Sequence, residues 1–386
     1  MKTVNLAIFD ETLRDGEQQV GIFFDTQTKS TLAELIVNTG VHYLALMPAI
    51  HHTEAQLVKN LIQKGYQQTI VASTMMGKKY IDESIECGVD KIILFNAVSD
   101  RLLYLRDPEY RDRSLTAEIP PDTVSCIRQN ALDHILEHLE YAANKGLKIC
   151  FAAEDSSRAD FDFLVECITK FQPYIDYFLL CDTVGILTPE DTKIWVRNLI
   201  DFTGNETPIA VHFHNDRGLA LENTIQAVLA GATAISGTFG GIGERAGNVA
   251  LEQVLSGLKL RYGWEVAGIN YDALKPITNY LNQHNFRAHS PYSPETMRYE
   301  TGIHVETLLR DRDSYYLFNS GNPEIWFGKF SGASSLKYLY EQHLSRPLSS
   351  QKYQELREKI KQLAIQHQRS FSLNEVLEQL TVNIEH

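Results

Sequence analysis

Residues 38–46 read N-T-G-V-H-Y-L-A-L, residues 86–94 read E-C-G-V-D-K-I-I-L, and residues 229–236 read L-A-G-A-T-A-I-S. Each is a helix end, a glycine, and then a short apolar run. Gly40, Gly88 and Gly231 suit the left-handed backbone that closes a helix. Working outward, the same rhythm fills the chain up to about residue 262. Strands are expected at 4–9, 43–47, 69–73, 91–95, 148–152, 176–181, 208–213 and 233–238. They are nearly continuous in apolar residues, as parallel strands covered on both faces must be. Helical periods lie between them, for example 27–38, 53–63, 124–144 and 189–202. Thr188-Pro189-Glu190-Asp191 is a helix start, with Thr as cap, Pro in the first turn and carboxylates at the positive end. Eight units in roughly 260 residues fit a (β/α)₈ TIM barrel, whereas an open doubly wound sheet more often has about six strands.

The fold class is therefore α/β. A catalytic barrel over 1–265 is followed by a smaller, mainly helical lid and dimerisation region over 266–386. Residues 284–300 form a polar, proline-bearing loop, and helices are expected at 349–367 and 373–384. Ser372 and Glu375 make a capping box for the second.

Composition narrows the function. The 386 residues are 44% hydrophobic and 22% charged, with a net charge of −13, so the chain has a core to bury and no general affinity for nucleic acid or an anionic membrane. Five scattered cysteines without a C-x-x-C argue against disulfides or a thiolate zinc site and for a reducing, cytoplasmic setting. The N-terminus lacks a signal-peptide core, and no apolar run approaches the ~18 residues of a membrane span.

Three segments carry chemistry. D-E-T-L-R-D-G-E-Q at 10–18 follows strand 1, where a barrel gathers its catalytic groups. Asp15 is a hard ligand for a divalent cation, and Arg14 can clamp a carboxylate or steady an oxyanion. H-F-H-N-D at 212–216 ends strand 7. Residues two apart in a strand share a face, so His212 and His214 point inward together; with Asp15 they make a facial metal site with open positions. G-T-F-G-G-I-G-E-R-A-G-N at 237–248 follows strand 8, where barrels often bind phosphate or carboxylate. Gly241, Gly243 and Asn248 are its candidate cofactor-binding residues. The alternative there is a tight glycine turn that only packs helix on strand. His134, Glu137 and His138 match the H-x-x-E-H peptidase pattern, but they fall opposite the apolar stripe of Ile127, Ala131, Ile135 and Leu139 and read as a solvated face.

Taken together, these motifs resemble the family of 2-isopropylmalate, homocitrate and citramalate synthases. F-A-A-E-D-S-S-R-A-D at 151–160, C-D-T-V-G at 181–185, T-G-I-H at 301–304 and G-K-F-S-G at 328–332 extend the likeness over most of the chain. The resemblance implies a domain-swapped homodimer. It also implies a Claisen condensation of acetyl-CoA with a 2-oxo acid, giving a 2-substituted malate and CoA. It places a divalent metal (Zn, Mn, Co or Mg) on Asp15, His212 and His214, with Asn248 nearby. Thr183 would bind the substrate carboxylate and Glu154 would handle the proton of the acetyl group. His304 and Tyr315 would serve as acid–base groups in the partner's site.

Departures from the pattern bear on the substrate. Strand 2 ends Leu44-Ala45-Leu46-Met47-Pro48 rather than in a glutamate, S-T-M-M at 73–76 lacks a common arginine, and Cys150 stands where lysine-pathway homocitrate synthases carry an arginine. Ala45, Met47, Met75 and Ala152 suggest a roomy apolar pocket. Each buried CH₂ is worth roughly 0.8 kcal/mol, which favours a large apolar side chain. Phenylpyruvate, giving benzylmalate, leads; 2-oxoisovalerate, giving isopropylmalate, follows, and a homocitrate synthase-like enzyme is the third reading. A further regulatory domain, and with it leucine feedback, is not expected. Two other classes compete: a carbon–carbon lyase of the same barrel group, which would carry a cysteine within 237–248, and a non-catalytic binding protein.

Overall fold

Eight parallel strands close into a barrel in the computed structural model, which describes residues 1–110, 115, 118–315 and 321–379. The strands are β1 (Ala7–Asp10), β2 (Tyr43–Leu46), β3 (Ile70–Met75), β4 (Lys91–Ala97), β5 (Lys148–Glu154), β6 (Tyr177–Asp182), β7 (Ile209–Phe213) and β8 (Ala234–Gly237). Each pairs with its neighbour in chain order, and β8 returns to β1 through Ala7–Ala234 and Asp10–Gly237.

Alternation along each strand sorts the side chains. Ile92, Phe151, Phe178, Val211 and Phe213 face outward, under the helices. Phe9, Val71, Ile93, Cys150, Ala152, Leu179 and Ala210 fill the interior. The Phe9 ring stacks on Tyr43 at 4.3 Å and meets Tyr177 edge-on at 5.5 Å, so aromatic bulk joins three strands inside the barrel. Because side chains alternate, Glu154 on β5 shares the interior face of Cys150 and Ala152, and His212 shares that of Ala210. The sheet parity thus aims the functional groups.

The three glycines singled out above all take positive φ, at 76°, 89° and 117°. Thr188 caps helix Pro189–Phe202 by accepting from the Asp191 amide. Two sequence readings need correction. The run at 4–9 is two strands: Lys2–Val4 lies outside the barrel, paired with Trp264–Val266, and only Ala7–Asp10 belongs inside. His138 is buried rather than solvated, with Nδ1 2.8 Å from the His134 carbonyl, while Glu137 is drawn outward to Lys78 at 2.6 Å.

After helix Leu274–Gln283 the chain builds a cover from helices Gly302–Leu308, Ala333–Lys337, Ser350–His367 and Leu373–Gln379. The Ser372–Glu375 box forms in both directions. The last part of the helix read at 373–384 falls outside the described residues. The cover is bolted to the barrel by a buried charge cluster. Lys29 lies 2.7 Å from Glu17 and 2.6 Å from Glu54; Lys329, from G-K-F-S-G, lies 3.1 Å from Glu17 and 2.5 Å from Glu54. Pairing of this kind offsets the cost of burying charge.

Candidate active site at the barrel mouth

Asp15 follows β1, His212 ends the interior face of β7, and His214 continues it past the strand. His212 Nε2 and His214 Nε2 are 3.3 Å apart, and they lie 3.8 and 4.0 Å from Asp15 Oδ2. One ligand atom from each of the three falls within 4.8 Å of the others. Burial holds both imidazoles below their usual range, His214 far below, so each keeps a lone pair free to ligate. Burial would raise Asp15, but Arg14 at 3.1 Å and the two histidines hold it well below the usual carboxylate range. His212 Nδ1 is 3.1 Å from the Ser236 hydroxyl, which orients the ring. The buried Asn248 Oδ1 has no hydrogen-bond partner. Two converging Nε2 atoms, a carboxylate and an orphaned carbonyl oxygen are a donor set that fits a divalent cation.

The glycine loop serves this carboxylate. Asn248 Nδ2 donates to Asp15 Oδ1 at 2.9 Å. A Cβ on Gly243 would sit 2.1 Å from that Nδ2 and 2.7 Å from Asp15 Oδ1, so only glycine lets Asn248 reach Asp15. Gly241, Gly243 and Asn248 are buried and do not line the cavity. Gly241 and Gly243 thus act by positioning rather than as a cofactor cradle, while Asn248 keeps a free carbonyl oxygen beside Asp15; the residues of this loop that line the cavity are Glu244 and Arg245.

A second cluster centres on Glu154. Arg106, at the end of helix Asp100–Arg106, grips it with two N–H groups at 2.5 and 2.9 Å. Tyr315 donates its hydroxyl to the same carboxylate and accepts from Arg106 at 2.6 Å. Burial alone would raise Glu154, but Arg106 brings it down to about 2. Burial pushes the Tyr315 phenol up. The His304 ring lies tilted by 41° against Tyr315 with ring centres 4.2 Å apart, and its Nδ1 lies 2.5 Å from Glu244 Oε2. In the single chain, His304 and Tyr315 thus meet this chain's own barrel. Tyr315 is nearly inaccessible, tucked behind Glu154 rather than on the cavity wall.

One cavity of about 1070 Å³ joins Arg14, the three candidate ligands, Glu154 and His304. Thr183 reaches it while accepting from the Asp155 amide at 2.8 Å. Its strand wall is Ile93, Phe95, Ala152, Leu179 and Cys181, with Met47 and Met75 above. Ala45 is corrected: it is fully buried in the barrel interior and does not line the cavity. Cys150 is likewise interior. Sequence reasoning missed Arg106, Glu244 and Arg245. The last two stand inside the quoted glycine motif. Arg245 adopts positive φ (58°), pairs with Asp216 at 2.8 Å and donates to the Thr183 carbonyl, so it buttresses the Thr183 loop.

A closed barrel whose mouth brings a candidate metal triad and a buried carboxylate, Glu154, onto one cavity defines the class: a barrel enzyme with a site suited to a divalent cation. Residues 5–280 match the HMGL-like family, and the chain belongs to it. Over 348 residues it is 33% identical to a protein named homocitrate synthase AksA from Methanothermobacter thermautotrophicus, covering 88% of this chain and 84% of that one. Over 372 residues it is 31% identical to 2-isopropylmalate synthase 2 of Caldanaerobacter subterraneus, covering 94% and 91%. The fold is shared with hydroxymethylglutaryl-CoA lyase from Pseudomonas aeruginosa, at a TM-score of 0.57 and 21% identity over 76% of this chain and 96% of that one. The chain is an enzyme of the acyl-transferring, condensing type. Among the described residues no helix is long and apolar enough to cross a membrane.

Proposed function

We propose that the chain condenses acetyl-CoA with a 2-oxo acid bearing a bulky apolar side chain, phenylpyruvate first. The single observation behind this reading is one cavity that holds the Asp15–His212–His214 triad, an ionised Glu154 and an apolar strand wall. Asp15, His212 and His214 would hold a divalent metal, which when bound would supply Lewis-acid polarisation of the ketone. Arg14 stands beside Asp15, where it balances negative charge as the ketone oxygen becomes an alkoxide. Thr183, with its hydroxyl proton uncommitted, is placed to donate to the substrate carboxylate.

The acetyl methyl loses a proton to Glu154, whose carboxylate is held in place by the Arg106 clamp and the Tyr315 hydroxyl. The carbon so freed bonds to the ketone carbon, and its π pair moves to oxygen. His304, paired with Glu244, hands a proton to that oxygen. Water then cleaves the thioester, giving the malate and CoA. The side chain of the oxo acid lies against Ile93, Phe95 and Leu179, and that wall offers no cation to a distal carboxylate.

The relative named homocitrate synthase favours a second reading, with 2-oxoglutarate as acceptor. Thiol release measured over a panel of 2-oxo acids with metal present decides: fastest turnover with phenylpyruvate, or next with 2-oxoisovalerate, supports the apolar pocket, and fastest turnover with 2-oxoglutarate rejects it. A cytoplasmic setting fits the five free cysteines. Exchange of covers between two copies remains part of this proposal. Mixing E154Q with Y315F chains restores activity if the cover acts on a partner's barrel, and does not if it acts on its own.

A further inference from the structure

Four lysines are buried among the described residues: Lys29, Lys91, Lys329 and Lys361, at 2%, 6%, 4% and 8% exposure. Three of them meet carboxylates. Lys29 and Lys329 share Glu17 and Glu54, and Lys91 lies 2.7 Å from Asp90. Lys361 meets none. Its ammonium makes one hydrogen bond, to the Ile50 carbonyl at 3.1 Å, and two N–H groups are left over. The acids whose fields reach it are committed elsewhere. Glu358 pairs with Arg357 at 2.7 Å, and Glu300 accepts from the Phe330 amide at 2.8 Å and from the Ser370 hydroxyl. A buried charge without a counter-charge is costly, and this one lines the same cavity as the triad and Glu154. The arrangement is that of a cation awaiting an anion.

Position says which anion. Lys361 belongs to cover helix Ser350–His367 and touches the loop just after β2, so it stands at the cavity's mouth rather than on its strand wall. Arg357, one turn earlier, lines the same cavity. An oxo acid held at the triad directs its side chain to the strands, which leaves the opening beneath this helix for the acyl donor. We propose that Lys361 is an anion subsite that binds a phosphate group of the acyl donor's nucleotide end. This rests on acetyl-CoA being the donor.

The test compares acetyl-CoA with acetyl-pantetheine, which has the same thioester and no phosphate, in wild type, K361M and K361R. Methionine keeps an apolar stem in place, so the fold is preserved, and melting temperatures check it. The ratio of kcat/KM for acetyl-CoA to that for acetyl-pantetheine falls roughly tenfold or more in K361M, as loss of one charge-assisted hydrogen bond requires, and K361R restores most of it. Equal losses with both donors, or none, overturn the proposal. So does a loss confined to KM for 2-oxoglutarate, which would assign the subsite to a distal carboxylate. Calorimetric titration with CoA and with pantetheine separates the subsite from catalysis. If wild type turns over no 2-oxo acid, the synthase reading fails, yet selective weakening of CoA binding in K361M still supports the subsite. Equal binding of CoA by both proteins rejects it.

Discussion

Arg106 and Glu154 face each other as a two-pronged ion pair, 2.5 and 2.9 Å across, with the Tyr315 hydroxyl 2.6 Å from the same guanidinium. Helix, strand and cover thereby meet on one carboxylate. The pair fixes both the aim and the ionisation of Glu154. R106M removes the cation from a buried carboxylate, which costs roughly 3–5 kcal/mol of stability when nothing replaces it. It also lowers kcat on the order of 100-fold or more. Glu154 then rises from about 2 toward and beyond its ordinary 4.5, so the acidic limb of the kcat/KM profile moves to higher pH. R106K, with charge but no fork, falls between. An acidic limb that stays in place in R106M would refute this role.

Removal of divalent metal abolishes condensation, and adding it back restores the rate. The metal also raises the melting temperature, because it binds the folded triad and not the unfolded chain. H212A, H214A and D15N each lose that thermal shift, a readout independent of turnover. G243A repeats the loss more mildly, since its Cβ would push Asn248 off Asp15. A metal-induced shift that survives in H214A counts against the triad.

K329M strips Glu17 and Glu54 of one of their two lysines. Stability falls roughly 3–5 kcal/mol, the usual result of breaking one side of a buried pair. The change also frees the cover from the barrel, so proteolysis between residues 284 and 350 speeds up in denaturant-free buffer. Unchanged melting and proteolysis would mean that the cluster does not hold the cover.

Asp10 is fully buried, hydrogen-bonded to Thr12 at 2.7 Å, and burial pushes it from its ordinary 3.8 up to about 8. The folded chain therefore holds a proton that the unfolded chain gives up between these values. Stability falls as pH rises from about 4 to about 8 through this group, and D10N removes that slope. Denaturant midpoints across this range for both proteins check the sign; parallel curves would show that Asp10 does not titrate as its burial requires.

The barrel was legible because its evidence is repetitive: glycine-closed helices followed by doubly covered strands. The triad was legible because strand parity alone puts His212 and His214 on one face. Glu154, His304 and Tyr315 came from motif likeness, and the structure brings them together. Arg106 was not legible. It is an ordinary arginine at a helix end, and its meaning lies in a contact 48 residues away in sequence. Lys329 and Lys361 were hidden for the same reason, since burial of a lysine belongs to the fold and not to its neighbours in the chain. Ala45 shows the converse limit: parity gave its side of the strand, but not its depth below the cavity floor.

The cover carries His304 and Tyr315, while the barrel carries the triad and Glu154. In the proposed reaction the barrel thus both seizes the oxo acid and takes the methyl proton, while the cover supplies the hydroxyl that steadies Glu154 and the imidazole that returns a proton. Swapping covers between relatives should accordingly retune how fast carbon bonds to carbon, and leave the choice of acid to the strands.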